Sequence, residues 1–210
     1  MNDTFPRLYA IVDRATLDTR GIAVREFAQE LREAGVRMVQ YRDKLNGPQE
    51  ILRAANEIDE AFEGTEVTRI MNDRADLAVL AGWNGLHVGQ GDLSVVAARR
   101  VLGAGEMVGI STHNEEQIRA AVESGPDYLA VGPVFATVSK TNPEPVVGLE
   151  LVRRARALTE LPVVAIGGIT VANALSVIEA GADAVAVIGG LFVEGRTVVE
   201  VARDFLEVLG

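Results

Sequence analysis

Hydrophobic residues along the chain form short, nearly continuous runs that alternate with longer segments in which they recur every three or four positions. The short runs are typical of strands buried on both faces, and the longer segments are typical of helices with one buried side. Strands are predicted at 7–13, 36–43, 67–73, 85–89, 107–112, 127–132, 162–168 and 184–189. Helices are predicted at 22–35, 48–64, 74–82, 93–103, 114–125, 148–160, 170–181 and 193–210.

This alternation of strand and helix predicts an α/β fold, a single (β/α)8 TIM barrel whose active site lies at the C-terminal ends of the strands. Several predicted helices stop at a glycine, as helices with a left-handed C-cap do. An open, doubly wound sheet is the alternative architecture. No linker, low-complexity tract or block of charge divides the sequence, so residues 1–210 are expected to form one domain.

Composition narrows the function classes. A net charge of −10 argues against a nucleic-acid partner, which needs clustered positive charge. No apolar run approaches the length of a membrane span, and the first residues lack the basic start and apolar stretch of an export signal. A cytoplasmic protein is therefore expected. With no cysteine and two histidines, disulfides, thiol nucleophiles and multi-histidine metal centres are excluded, so any metal must be held by oxygen.

Lysine is rare in a chain rich in arginine. Of 20 basic residues only Lys44 and Lys140 are lysines, and each follows an apolar run that is typical of a strand. Lys44 belongs to a set, with Gln40 and Arg42, spaced two residues apart at a predicted strand end. On an extended chain such side chains point to one side, where they would form an anion clamp. The alternative is that Arg42 pairs with Asp43 in a solvated loop.

Two carboxylates follow neighbouring predicted strands. Asn72 and Asp73 end the third strand, and Asp92 follows the fourth. Adjacent strands lie about 4.8 Å apart, so two such carboxylates could share one ion. Magnesium takes oxygen ligands and often completes its shell with phosphate and water. The alternative is that each aspartate caps the helix that follows it.

Glycine pairs end the last two predicted strands, at 167–168 and 189–190. Barrels frequently bind phosphate there through backbone N–H groups. Thr137, Ser139 and Lys140 begin a long loop containing Pro and Gly, which predicts either a flap that excludes water or an ordinary connection. His87 is expected to be a packed or hydrogen-bonding histidine, and His113 to cap the next helix.

These residues resemble the thiamine phosphate synthase family. The likeness extends from the second predicted strand to the eighth and is carried by VQYRDK, MNDRADLA, GLHVGQGDL, GISTHNEEQ, DYLAVGPVFATVSK, PVVAIGGI and GADAVAVIG. It implies a (β/α)8 barrel that transfers the hydroxymethylpyrimidine group from its diphosphate to the nitrogen of a thiazole phosphate. The products would be thiamine phosphate and diphosphate, formed with the help of Mg2+.

The resemblance also implies roles for individual residues. The pyrimidine diphosphate would be bound by residues from several loops, namely Gln40, Tyr41, Arg42, Asp43, Lys44, Asn72, Ser111 and Lys140. Four of them, Arg42, Lys44, Ser111 and Lys140, would be catalytic. Asp73 and Asp92 would hold magnesium. The thiazole phosphate would lie against Thr137, Val138, Ser139, Gly168, Ile188 and Gly189.

Some positions depart from the family pattern. Gly189 stands where many members have serine, and Ser139 replaces a commoner threonine. Two other functions are compatible with these residues. One is a thiazole tautomerase, which shares the phosphate-binding end and needs no diphosphate clamp. The other is a non-catalytic barrel that senses a thiamine precursor. The sequence is also compatible with a homo-oligomer.

Overall fold

Eight parallel strands close into a barrel in a computed structural model that describes residues 5–103, 105–137 and 144–210. The strands follow chain order around the barrel, and β1 pairs with both β2 and β8. Their bounds are β1 Leu8–Asp13, β2 Met38–Arg42, β3 Thr68–Asn72, β4 Gly85–Val88, β5 Met107–Thr112, β6 Tyr128–Val131, β7 Val163–Ile166 and β8 Ala184–Val187. The pairing of β1 with β8 confirms the closed barrel and excludes the open sheet.

Helices surround the barrel. They are α1 Arg14–Arg20, α2 Val24–Ala34, α3 Pro48–Ala61, α4 Ala75–Ala81, α5 Val95–Leu102, α6 Glu115–Ser124, α7 Gly148–Leu158, α8 Val171–Glu179 and α9 Val198–Leu209. Helix α1 was not predicted, and neither was a short 3-10 turn at Gly189–Leu191. In the described part of the chain, the helices are all too short or too polar to cross a membrane.

Alternation along the strands divides the buried residues into two layers. Outward-facing residues such as Val39 and Tyr41 pack against the helices. Inward-facing residues such as Tyr9, Met38 and Tyr128 fill the barrel interior. The C-terminal ends of the strands carry the polar residues, as in other barrels of this type.

Candidate active site

Two adjoining chambers open at the C-terminal ends of the strands. The smaller, of about 140 Å³, is lined by seven of the predicted site residues, namely Gln40, Arg42, Lys44, Asn72, Asp73, Asp92 and Ser111. The larger, of about 950 Å³, is lined by Ser111, Thr137, Gly168, Ile188 and Gly189 from the same predictions. Ser111 and Ile188 line both chambers, so ligands bound in the two would meet.

Gln40 and Arg42 alternate along β2, so both lie on the side of the strand that faces the barrel interior. Gln40 faces the barrel interior and is only 3% exposed, and its amide nitrogen donates to Tyr9 Oη at 2.6 Å. Arg42 lies at the chamber edge, where its guanidinium donates to Asp13 Oδ1 at 2.5 Å. The buried Asp13 carboxylate also accepts hydrogen bonds from the backbone and hydroxyl of Thr16, so it caps α1 and anchors Arg42 at once. The pairing of Arg42 with Asp43 considered from the sequence is replaced by this contact.

Removing the Arg42 side chain tests the anchor. Arg42→Ala leaves the Asp13 carboxylate, whose side chain is 1% exposed, buried without its cation. We expect the free energy of unfolding to fall by about 3 kcal/mol, as when one partner of a buried ion pair is removed. The matched control is Arg25→Ala, which breaks an exposed pair with Glu60 and should lower the free energy of unfolding far less, because exposed ion pairs contribute little. Urea unfolding followed by circular dichroism measures both, and equal losses would contradict the anchor.

Tyr41 and Asp43 lie outside both chambers. The Tyr41 side chain points outward among the helices because it alternates with Gln40, and its hydroxyl donates to Asp43 Oδ2 at 2.9 Å. Asp43 also accepts hydrogen bonds from the backbone N–H groups of Leu45 and Asn46. Burial would raise the pKa of Asp43, but the hydrogen bonds from Asn46, Leu45 and Tyr41 lower it below its ordinary value. Tyr41 and Asp43 therefore stabilise the loop after β2, and neither residue lines a chamber.

Asp73 and Asp92 lie side by side at the edge of the smaller chamber. Burial raises the pKa of Asp73, the neighbouring Asp92 raises it further, and the Lys44 ammonium, which pairs directly with Asp73, opposes both. Asp73 has a left-handed backbone with φ of 60°, a conformation that Asp tolerates better than most residues. Its N–H donates to the carbonyl of His87 at 2.8 Å, which fixes the loop to the neighbouring strand.

The helix-cap interpretation of these aspartates is wrong. Helix α4 has Arg74 at its N-cap, with no side-chain cap hydrogen bond. Helix α5 is capped by Ser94, whose hydroxyl accepts from the N–H of Ala97. Asp92 instead accepts from the N–H of Gly89 at 2.9 Å. Capping therefore does not explain why the two carboxylates are present.

The donor set fits a magnesium ion. Two carboxylates beside one another, with a raised pKa on Asp73, are a site where a divalent cation would relieve repulsion. Within the ranges that the structure describes, no group of three or more acidic or histidine side chains is placed so that it could hold a metal ion, here or elsewhere. Magnesium commonly binds through one or two carboxylates and completes its shell with water and phosphate oxygens.

The pH dependence of activity should report the contact between Lys44 and Asp73. Because Lys44 lowers the pKa of Asp73, Lys44→Ala should raise it, and the carboxylate would then take up its proton at a higher pH. The acid limb of the kcat/KM profile should therefore move to higher pH. Lys44→Arg keeps the charge and is expected to leave the limb in place, even where the rate falls. An acid limb that does not move in Lys44→Ala would contradict the assignment.

Glycines form the wall of the larger chamber where β7 and β8 end. Gly168 has φ of +64°, and a Cβ atom there would lie 2.4 Å from the carbonyl oxygen of Ala136. A Cβ atom on Gly190 would lie 2.2 Å from the carbonyl oxygen of Ile169. Side chains are therefore excluded from this wall, and the backbone itself borders the chamber, as phosphate binding requires. Val138, Ser139 and Lys140 lie outside the described residues.

Several site residues were missed or misinterpreted from the sequence. His113 does not cap α6, because Asn114 does so; its Nδ1 contacts the carbonyl oxygen of Gly132 at 2.6 Å. His87 is a hydrogen-bonding histidine as expected, with Nε2 2.8 Å from Ser111 Oγ. Tyr9 lines the smaller chamber and was not predicted. Tyr9 lies in an apolar run, so the sequence gave no sign that its hydroxyl belongs to a polar site. The alternation of side chains along β1 could have shown that Tyr9 points into the barrel.

Comparison with known proteins agrees with the barrel fold and with the family resemblance. The family model described as thiamine monophosphate synthase matches residues 8–191. A thiamine-phosphate synthase of Koribacter versatilis is 52% identical over 206 residues, which cover 97% of this chain and 96% of the relative. One of Methanoregula boonei is 42% identical over 200 residues, covering 95% and 91%. The solved thiamine phosphate pyrophosphorylase of Pyrococcus furiosus superposes with a TM-score of 0.83 at 27% identity, covering 97% of this chain and 95% of that one.

Proposed function

The chain belongs to the thiamine monophosphate synthase family, and from that premise we propose that its two chambers bind the two substrates of one reaction. The reaction is thiamine phosphate synthesis, in which the hydroxymethylpyrimidine group is transferred from its diphosphate to the nitrogen of a thiazole phosphate. The observation that carries the proposal is the convergence of Arg42, Lys44, Asp73 and Asp92 on a chamber that opens directly into a glycine-walled one.

The smaller chamber suits the pyrimidine diphosphate. Its apolar walls include Ile11, Ala130 and Ala186, which would pack against a flat ring, and Gln40 adds a polar group. Arg42 and Lys44 stand on the same edge and supply the positive charge that a diphosphate requires. Asp13 holds Arg42 in place, so the guanidinium is oriented before the ligand arrives.

The larger chamber suits the thiazole phosphate. Gly168, Gly189 and Gly190 border it with backbone, and Thr137 adds a hydroxyl group. A phosphate at this wall would accept hydrogen bonds from backbone N–H groups, as in other barrels that bind phosphate after their last strands. Gly189 in place of the family's common serine leaves this contact to the backbone. Ser139 and Lys140 follow Thr137 in the sequence.

We propose a dissociative substitution with no side-chain nucleophile. The C–O bond between the pyrimidine methylene and the diphosphate breaks, and the diphosphate leaves with the bonding electrons. The ring nitrogen of the thiazole then donates its electron pair to the methylene carbon, forming the C–N bond. Arg42 and Lys44 stabilise the negative charge of the leaving group, and the adjoining chambers hold the nucleophile in line. Magnesium bound at Asp73 and Asp92 would neutralise diphosphate charge.

The product assay separates this activity from the two alternatives. Purified protein is incubated with hydroxymethylpyrimidine diphosphate and thiazole phosphate, with magnesium or with a chelator, and products are separated by chromatography. We expect thiamine phosphate and diphosphate in equal amounts, only with magnesium. An isomerised thiazole without coupling would indicate a tautomerase, and binding without any product would indicate a sensor. Since both substrates are phosphorylated, we propose the cytoplasm as the place of the reaction.

A further inference from the structure

A chain of hydrogen bonds crosses the barrel interior beside the smaller chamber. The Gln40 amide nitrogen donates to Tyr9 Oη at 2.6 Å, and Tyr9 Oη lies 3.0 Å from Tyr128 Oη. Tyr128 Oη lies 2.9 Å from His87 Nδ1, and His87 Nε2 lies 2.8 Å from Ser111 Oγ. The chain joins β2, β1, β6, β4 and β5 in that order. Both of its end residues line the smaller chamber.

With the Gln40 amide nitrogen as the donor to Tyr9, one arrangement of protons satisfies every link. Because Tyr9 Oη accepts from the Gln40 amide, its own proton must go to Tyr128 Oη, or a buried donor would be left unpaired. Tyr128 then donates to His87 Nδ1, which carries no proton, and the ring donates through Nε2–H to Ser111 Oγ. Ser111 must therefore direct its own hydroxyl proton away from His87.

Packing holds the central tyrosine in this position. A Cβ atom on Gly109 would lie 2.0 Å from Cζ of Tyr128, so the ring occupies the space that any other residue at 109 would fill. His87 stacks on the Tyr128 ring at 5.6 Å, and Tyr9 meets it edge-on at 6.0 Å. Burial raises the pKa of both phenols above the ordinary value, so both hydroxyl groups keep their protons at working pH.

We propose that Tyr128 is a positioning residue for the pyrimidine substrate, an inference that rests on the proposed function. Its hydroxyl is held between Tyr9 and His87, so it fixes which atom donates the proton in each hydrogen bond across the barrel. We call this arrangement the proton order. That order leaves Gln40 Oε1 as a fixed acceptor and the Ser111 hydroxyl as a fixed donor at the chamber. An aminopyrimidine carries amino N–H donors and ring-nitrogen acceptors, so it is recognised by one group of each kind.

The protein contains two histidines, His87 and His113, and they allow the proton order to be measured directly. His113 Nδ1 contacts the carbonyl oxygen of Gly132, so its Nδ1 carries a proton, whereas the proposal places the His87 proton on Nε2. Nitrogen NMR of protein labelled with ¹⁵N-histidine should show two neutral rings of opposite tautomer, assigned with the His113→Gln variant. A His87 ring protonated at Nδ1 would overturn the proposal. No substrate is needed, so this result is independent of the proposed function.

Ligand binding tests whether the Tyr128 hydroxyl positions the groups that recognise the pyrimidine. Tyr128→Phe keeps the ring over Gly109 and removes only the oxygen. Calorimetric titration with hydroxymethylpyrimidine diphosphate and magnesium should show a Kd raised by about tenfold, the scale of one lost hydrogen bond to a positioned group. The Kd for thiazole phosphate should change by less than about twofold, since its phosphate is proposed to bind at the glycine wall of the larger chamber.

A matched control separates positioning from loss of stability. Trp83 precedes β4 at the opposite end of the barrel, and its Nε1–H donates to Asp59 at 3.0 Å. Trp83→Phe also removes the hydrogen-bonding group of a buried aromatic residue, here from a partly buried hydrogen bond, and both Kd values should stay unchanged. Equal changes in the two Kd values of Tyr128→Phe, or none, would overturn the proposal. Failure of the wild-type protein to bind either ligand would count instead against the proposed function, with the proton order still decided by NMR.

Discussion

Asp92→Ala is expected to abolish magnesium-dependent formation of thiamine phosphate while the barrel stays folded. Asp92 shares the edge of the smaller chamber with Asp73, whose pKa is raised first by burial and then by this neighbouring carboxylate. Within the protein Asp92 accepts a hydrogen bond from the N–H of Gly89. Because this contact is local and exposed, removing the carboxylate should leave the fold unchanged. We expect kcat/KM to fall by about 10³-fold, since a preorganised charge at the leaving group is lost.

The control for this variant is an aspartate of similar chemistry outside the site. Asp76 lies at the start of α4, exposed and paired with Arg74. Asp76→Ala should leave the rate within about twofold, because exposed ion pairs contribute little. Steady-state assays over a range of magnesium concentrations compare the three proteins. Wild-type turnover by Asp92→Ala at limiting magnesium would refute the metal assignment.

Gly168→Ala is expected to damage the thiazole end selectively. The added Cβ atom would lie 2.4 Å from the carbonyl oxygen of Ala136 and 2.7 Å from Cβ of Phe135, so the wall of the larger chamber must shift. We expect the KM for thiazole phosphate to rise by about 10²-fold, the effect of misplacing a reactant by about 1 Å. The KM for the pyrimidine diphosphate should stay within about threefold of wild type, because that substrate contacts the other chamber.

Gly82 provides the control for backbone strain. It has φ of +69°, close to the +64° of Gly168, but a Cβ atom there meets nothing within 4 Å. Gly82→Ala therefore carries the same strain of a left-handed alanine and none of the steric conflict. Its thermal midpoint should fall while both KM values remain unchanged. A similar KM change in the two variants would show that strain, and not the chamber wall, is responsible.

The strands and the site edge could be predicted from the sequence because both depend on local pattern. Each observed strand lies inside its predicted range, since parallel strands covered on both faces are apolar along their whole length. Helix α1 was missed because RATLDTR buries Leu17 and little else, so it has no apolar periodicity. The 3-10 turn at Gly189–Leu191 gave no signal beyond its glycines.

Interactions between distant segments could not be predicted in this way. The anchoring of Arg42 by Asp13 depends on the register of β1 and β2, in which the two residues are directly opposite. From the sequence, the adjacent Asp43 was the only partner considered for Arg42, because only nearness along the chain was visible. The contact between Tyr9 and Tyr128 likewise requires both side chains to point into a closed barrel.

Capping of α4 and α5 illustrates a third limit. Both aspartates precede a predicted helix, and caps were a reasonable explanation for each one alone. The helices begin later than predicted, at Ala75 and Val95, so neither aspartate is at the N-cap. A shift of one or two residues in a helix start therefore decides between a structural and a functional explanation of a carboxylate.

The most direct measurement is a crystal structure of the protein with magnesium, diphosphate and thiamine phosphate. The account predicts a metal ion between Asp73 and Asp92, with diphosphate beside it and against Arg42. The Lys44 ammonium, now paired with Asp73, should contact a diphosphate oxygen, and the phosphate of the product should lie at Gly168. Diphosphate at the glycine wall, or a metal ion bound away from both aspartates, would contradict the account.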